Sequence, residues 1–547
     1  MRIISESSAA GHPGTDLEAQ ARTPLAKNVI IFSDGTGQVG GIAFDEIRTN
    51  VYKMYRACRV GPDTVIDPAK QVAFYDPGLG SSVDGSRIKI GWARALYNLV
   101  SKATGLGMTA NIVDCYAALI RLYRPGDRVF LIGFSRGAYT VRSLAGVIAL
   151  CGIPRHDYGG APLPMDMAGS RRLASKAVKG VYQFCSSYDR AHAGPYRLFM
   201  MRTRDAIGVK FRADHGSSVT DGGLEKANVF PYFIGVFDTV AALGHKGLGL
   251  FVCVLAIGLP FLASAVVSWA HLLPIVGELL PDVGFLEALS WIGPVTLTAA
   301  AAVFLKNYLK IAPKLPGYGL LKRLATLHFT QPKHKFNDYV LNVNVGYAKH
   351  AISIDENRAD FRRVPWAPTE EKQDKRDREQ NLYFEQVWFP GVHADVGGGY
   401  EENESRLSDI ALGWMLAAAS VIPDGLLHDP SVLRLHPDAT GTQHDEQKGS
   451  FLKLGLRKLP GPQAIMHKTV YDRFKADSVV LFDAAAPYRP LNLSEHVDFK
   501  QYFAGTTTPA ANPARVKADD IEARWRRKAG IDAGGGSGAA PEATTGA

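Results

Sequence analysis

Residues 128–144, RVFLIGFSRGAYTVRSL, carry the tightest constraint on what this chain can fold into. Val129 to Phe134 is apolar at nearly every position, which suits a strand buried on both faces rather than one with a wet side. Beyond it, Ala138, Val141, Ala145 and Ile148 recur at three- and four-residue spacing, the period of a helix. Only Gly133-Phe-Ser-Arg-Gly137 lies between the two patterns, so Ser135 is predicted at a sharp strand-to-helix turn. Glycines are needed on both sides of such a serine, because side chains there would collide with the neighbouring strand and helix. Gly-x-Ser-x-Gly alone is weak in a chain of 547 residues with 55 glycines; the strand before it and the helix after it give it meaning.

The same alternation recurs along the chain. NVIIFSDGTGQ is a short β-branched and aromatic run that breaks into a Gly-rich turn, and a second run lies in QVAFYDPGLGSS. TANIVDCYAALIRLY reads as a helix stopped by Pro125-Gly126. Strands alternating with helices imply an α/β fold, a mostly parallel sheet covered by helices on both faces. No internal repeat interrupts the pattern. The net charge of +9 comes from 62 basic and 53 acidic residues interleaved along the chain, without a long basic block, so no nucleic-acid partner is expected. A basic face toward anionic lipid, or simple solubility, accounts better for the balance. Five cysteines without a CxxC pair argue against a disulfide framework or a zinc site. The first residues lack the basic start and apolar core of a secretory signal, so export by the general route is not expected.

A serine hydroxyl is a poor nucleophile at neutral pH and needs a histidine to take its proton and an acid to orient that histidine. On this kind of sheet they follow the serine in the order acid, then histidine, on loops after later strands. VFPYFIGVFDTVAALG supplies an apolar run ending at Asp238, and YFEQVWFPGVHADVGGGY sets His393 just after another such run and before a glycine cluster. The predicted catalytic set is therefore Ser135, Asp238 and His393. Asp238 as a mere helix cap and His393 as a core histidine are the competing readings. Asp395 is a supporting candidate, paired with His393 or Arg136, with a turn or capping role as the alternative. The oxyanion is expected to meet the backbone N–H of Arg136 and donors of the SDGTGQ loop, Gly35 and Thr36, with Asp34 in support. The phrase VIIFSDGTG also echoes the D-x-D-G-T start of haloacid-dehalogenase-type phosphatases. Phe32 stands where their attacking aspartate would be, so no aspartyl-phosphate can form there. The Gly-rich GLGSS and DVGGGY lack the G-K-[ST] of a phosphate-binding loop. No metal or organic cofactor is expected.

One segment is foreign to such a core. Gly247 to Gly277 contains no Asp, Glu, Lys or Arg, and Ala288 to Leu305 is a second uncharged run. The first exceeds the roughly 20 residues needed to span a bilayer and the second is near the lower limit. A short acidic connection joins them, and Lys246 precedes the pair while Lys306, Lys310, Lys314, Lys322 and Arg323 follow it. The reading is a helical hairpin inserted in the membrane, both flanks on the cytoplasmic side. Its alternative is a lid-like helical pair over an apolar pocket, since Pro260 and Pro294 interrupt both runs.

The set IIFSDGTG, TNVYKMYRA, FYDPGLGS, FLIGFSRGAYTVRSLAGVI, IGVFDTVAALG, HAISIDENRADFRRVPW and QVWFPGVHADVGGGY resembles the α/β-hydrolase family that contains the type VI secretion lipase effectors, family 1, from about residue 27 to 420. The resemblance implies an α/β-hydrolase fold and phospholipase activity on membrane glycerophospholipids. Its nucleophile, acid and base motifs fall on Ser135, Asp238 and His393. HAISIDENRADF looks like the family's helix packing beside the site, with Asp355, Glu356 and Arg358 as structural charge pairs. The apolar insertion departs from the family and suggests a resident membrane-anchored hydrolase or a lipid-penetrating lid.

The expected organisation is a largely disordered tail over 1–24, a hydrolase domain over 25–246 and 306–510 interrupted by the hairpin at 247–305, and a polar tail over 511–547. The expected function is hydrolysis of lipid carboxylic esters, most simply of phospholipid, through an acyl-enzyme; an esterase on another acyl substrate or a catalytically silent membrane-anchored scaffold are the alternatives. Membrane lipid is the expected partner, joined by type VI secretion components or an immunity protein if the chain is an effector. The expected location is the cytoplasmic side of the bacterial inner membrane, or a target cell after export.

Overall fold

The computed structural model describes residues 26–35, 47–78, 106–186, 193–240, 258, 260–261, 264–269, 284–329, 339–358, 361, 363–445, 457, 459, 461–482 and 484–503. Both predicted tails lie outside them. The strands used below are β1 (Asn28–Ser33), β2 (Gln71–Asp76), β3 (Arg128–Phe134), β4 (Ser218–Asp221), β5 (Leu224–Ala227), β6 (Pro231–Phe237), β7 (Leu309–Lys310), β8 (His328–Phe329), β9 (Tyr347–Ser353) and β10 (Phe384–Phe389). Six of them form one parallel sheet in the order β10-β9-β6-β3-β1-β2. The pairs β4–β5 and β7–β8 are small antiparallel hairpins apart from it.

The near-continuous apolar runs follow from burial on both faces. Val29, Ile31, Val129, Leu131, Ile234 and Val236 point to one side, under the helices Leu106–Leu122 and Arg136–Cys151. Ile30, Phe32, Phe130, Ile132 and Phe233 point to the other, under Asn50–Cys58 and Arg406–Val421. A third cluster joins Ile352, Ile354 and Trp388 to Met466, Tyr471, Phe474, Tyr488 and Phe499, which fastens the C-terminal segment to the β9–β10 edge. Backbone bonds Trp388 N–H to Ile465 O and His467 N–H to Trp388 O, both 2.9 Å, complete that attachment.

The chain passes from β1 outward to β2 and then back across β1 to β3. The strand order reverses there, so a crevice opens outside the C-terminal ends of β1 and β3, where ligands bind in open α/β sheets. Ser135, Asp238 and His393 all lie just past C-terminal strand ends, of β3, β6 and β10.

One sequence expectation changes. Within HAISIDENRADF, residues 350–353 end β9 and 354–358 follow it as loop, not as a helix. A central strand between β6 and β10 is held by two neighbours and buried on both faces, which overrides any local helical pattern. The spanning hairpin is not shown. Its first run lies largely outside the described residues, and among the described residues no helix is long and apolar enough to cross a membrane. The second run is the helix Phe285–Tyr308, which contains Pro294 and includes Glu287 and Lys306. Ser290 and Thr296 turn their hydroxyls onto carbonyls of the preceding turn.

Trp414 is fully buried and packs edge-on to Phe389, whereas Trp291 is 72% exposed. Trp414→Ala is expected to cost about 3–5 kcal/mol in chemical denaturation. Trp291→Ala should stay within about 0.5 kcal/mol of wild type.

Candidate active site

Ser135 leaves β3 with φ 56° and ψ −118°, a backbone conformation that side-chain-bearing residues rarely adopt, and the next residue starts the helix Arg136–Cys151. Its N–H donates to Phe237 O at 3.1 Å, which ties the turn to the end of β6. The flanking glycines are sterically compulsory. A Cβ on Gly137 would stand 1.9 Å from Ser33 O, and one on Gly133 would stand 2.5 Å from Gly137 O. The first helical turn therefore rests directly on the backbone at the end of β1. The serine hydroxyl makes no capping bond to its own helix.

Asp238 follows β6 with φ 34°, and its N–H donates to Ala351 O at 2.7 Å, extending the β6–β9 ladder by one residue. The side chain is fully buried. Oδ2 accepts the Nδ1–H of His393 at 2.5 Å, while Oδ1 accepts the Ser353 N–H at 3.1 Å and a bond from Arg457 Nη1. Burial alone would favour the protonated acid; the Arg457 guanidinium and His393 outweigh it and hold the carboxyl well below the usual carboxylate range. His393 opens the short helix His393–Gly397 after β10, and its N–H donates to Glu356 Oε2 at 3.1 Å. Phe134, the residue before Ser135, lies against the imidazole at 4.6 Å between centroids, and Phe361 meets it edge-on at 5.0 Å. Its Nε2 is buried and has no hydrogen-bond partner among the described residues. A neutral imidazole so held carries its proton on Nδ1 and leaves Nε2 as a buried proton acceptor.

The remaining predicted residues are distributed around this centre. Gly35 sits beside Ser135, since a Cβ built on it would lie 3.5 Å from Ser135 Cβ, but its N–H donates to Asp34 Oδ1 at 2.7 Å. Asp34 is buried and also accepts from Thr49 Oγ1 and Tyr75 OH, at 2.5 and 2.7 Å, which makes it the anchor of that loop. Thr36 lies outside the described residues. Burial pushes the Arg136 guanidinium down to about 10. The Asp395 carboxylate is taken up by the Val392 N–H and by His444, at 3.0 and 2.7 Å, a turn-closing role.

Of the three charged residues after β9, Arg358 and Glu356 form a two-pronged pair at 2.8 and 2.9 Å, as expected. Glu356 in turn holds the backbone of His393. Asp355 instead accepts from the Gly391 N–H and Tyr488 OH, and burial raises its carboxyl to about 7. Sequence reading missed Arg457 altogether. It stands 219 residues from the aspartate it touches, in a segment whose pattern carries no signal for it.

The family model described as "T6SS, Phospholipase effector Tle1-like, catalytic domain" matches residues 27–256 and 316–418. The chain belongs to this Tle1-like family. Its matched parts contain Ser135, Asp238 and His393; the helix Phe285–Tyr308 falls in the gap, and Arg457 lies past the end. Among curated proteins, "Uncharacterized protein YEL023C" of Saccharomyces cerevisiae is 30% identical over 141 residues, 25% of this chain and 19% of its own length. An uncharacterized protein from Pseudomonas aeruginosa, known as a crystal structure, is 16% identical with TM-score 0.30, over 75% of this chain and 48% of that one. The structure of the Tle1 effector bound to the VgrG spike of the type 6 secretion system is 15% identical with TM-score 0.25, over 70% of this chain and 52% of that one. The chain thus spans about a fifth of the curated relative and about half of each solved structure.

Two outcomes follow from the geometry. Gly137→Ala should cost about 3 kcal/mol or more in thermal unfolding, or prevent folding, because backbone cannot yield as a side chain can. The Asp238 carboxyl titrates lower in the fold than in the unfolded chain, whose value is about 3.9. The stability it contributes is therefore complete above that value and lost as the pH falls toward the folded one. Asp238→Asn should flatten the acid side of a plot of unfolding free energy against pH.

Proposed function

We propose that this chain is a serine phospholipase that cleaves lipid carboxylic esters through an acyl-enzyme. The observation that carries the reading is the arrangement at the strand ends: a serine on a strained turn, and a histidine with one nitrogen on a buried carboxylate and the other buried without a partner. Membership in a family described by its phospholipase effectors supplies the substrate class. Ser135 Oγ attacks the acyl carbonyl carbon while His393 Nε2 takes the hydroxyl proton. The resulting imidazolium is stabilised by Asp238 and returns the proton to the departing alcohol oxygen as the ester C–O bond breaks. Water then repeats the sequence on the acyl-enzyme and releases the fatty acid. The Arg136 N–H, at the first position of its helix, is the donor assigned to the oxyanion, assisted by the dipole of that helix. The Gly35 N–H can join it only by leaving Asp34. The chemistry calls for no metal or organic cofactor.

The approach to lipid is assigned to the insertion. Leu286, Trp291, Val295 and Leu297 are all exposed on the helix Phe285–Tyr308, with Lys306, Lys310, Lys314 and Lys322 following. Apolar side chains beside lysines suit contact with the interface of an anionic bilayer rather than a span of it. The family description further supports delivery by type VI secretion components into a target cell, where an immunity protein would be the counterpart.

The test is fatty-acid release from mixed phospholipid vesicles by the purified protein. Ser135→Ala is expected to lose about 10³-fold or more, and Asp238→Asn about 10⁴-fold with the fold intact. Labelling of Ser135 by a fluorophosphonate without fatty-acid release would keep the serine hydrolase and discard phospholipid. Neither labelling nor release would discard both.

A further inference from the structure

We infer that Arg457 is a positioning residue for the acid–base pair, so that the site is completed by the C-terminal segment beyond the part of the chain matched by the family's catalytic-domain model. The inference rests on the triad assigned above and extends it to a residue that acts through Asp238 and Phe361. The Arg457 side chain is 7% exposed and its fork is fully engaged. Nη1 donates to Asp238 Oδ1 and to Ser353 Oγ, the latter at 2.9 Å, and Nη2 donates to Phe361 O at 2.7 Å. Its own backbone is fixed on both sides: the N–H donates to Glu356 O at 3.0 Å, and the carbonyl accepts from Asn492 Nδ2 at 3.0 Å. One guanidinium thus holds the acid by the oxygen that His393 does not use, and pins the backbone of the aromatic ring that walls the imidazole. Lysine, a point charge without the planar fork, cannot serve both at once.

The electrostatic consequence has a definite sign. The carboxylate of Asp238 favours the imidazolium of His393, and the cation beside that carboxylate partly cancels this, which keeps the imidazole neutral and able to accept a proton at lower pH. The other charged and titratable groups around the pair are Arg363 and His350, which face Asp238, and Glu356 with its partner Arg358, which face His393. Arg363 and His350 act on Asp238 through charge at a distance, whereas Arg457 bonds to its carboxylate. Removing Arg457 should therefore move the acid limb of the kcat/KM profile upward and leave Oδ1 of the acid anchored by the Ser353 N–H.

The experiment uses the full chain and measures kcat/KM against pH on a soluble p-nitrophenyl ester, together with the rate of fluorophosphonate labelling, for wild type, Arg457→Met and Arg457→Lys. For Arg457→Met we expect a loss of about 10- to 100-fold and an acid limb raised by about one pH unit. Arg457→Lys should restore the limb but only part of the rate. Arg457→Gln, which keeps a donor without the charge, replaces Arg457→Met if that variant does not fold, with the same expected shift. A folded charge-removing variant with wild-type rate and limb overturns the role of Arg457, as does a rate loss with an unmoved limb, which is what a merely structural contact would give. A wild type that neither labels nor turns over overturns the triad, and this inference with it; labelling of wild type but not of Ser135→Ala separates the two cases.

Discussion

The structure around the site depends on keeping one buried carboxylate ionised. Asp238 has no solvent contact, and a bare charge there would protonate rather than persist. Three donors prevent it, each from a different part of the chain: the Ser353 N–H at the end of β9, the His393 imidazole after β10, and the Arg457 guanidinium from the C-terminal segment. Sheet order makes the first possible, because β9 lies directly beside β6 and the ladder runs one residue past the strand into Asp238 itself. The oxygens divide the work. Oδ1 is anchored by backbone and arginine, and Oδ2 is left to the histidine alone. Losing one partner of such a buried pair costs about 3–5 kcal/mol, so the same contacts that orient the imidazole also hold the strand ends together.

The nucleophile turn and the histidine loop are coupled through Phe134. A Cβ on Gly397 would lie 1.9 Å from the Phe134 ring, so only glycine lets the short helix after His393 settle on it. That ring in turn faces the imidazole. Ser135 is thus bound to His393 by the residue before it, and to Asp238 by the bond from its own N–H to Phe237 O, the residue before the acid. Each member of the site is positioned by the chain neighbour of another, which is why a rigid sheet edge can hold a serine in a strained conformation.

How much of this the sequence disclosed follows from the range of the interactions. That Ser135, Asp238 and His393 follow strand ends was legible because each comes just after an apolar run, and an apolar run that gives way to a polar residue marks a strand end whichever strands surround it. The α/β class was legible for the same reason. β9 was not, since whether AKHAIS forms a strand is decided by β6 and β10 on either side. Arg457 and the backbone-holding role of Glu356 were not, since nothing local distinguishes an arginine that reaches a carboxylate 219 residues away from one on the surface.

The insertion follows the proposed acid directly in the chain. The chain departs from β6 through Asp238, Thr239 and Val240 at the C-terminal edge of the sheet, and returns to begin β9 at the opposite edge. Whatever leaves β6 therefore starts beside the Asp238 carboxylate. Single exposed leucines are ordinary, but Leu286, Trp291, Val295 and Leu297 share one helix that the family model does not match. Ser135, Asp238, His393 and Arg457 lie outside that helix, in strand ends and in the C-terminal segment. On the proposed reading, chemistry and surface are carried by separable stretches of the chain: the sheet edge would hold the ester, and the insertion would be free to vary in how the lipid is approached.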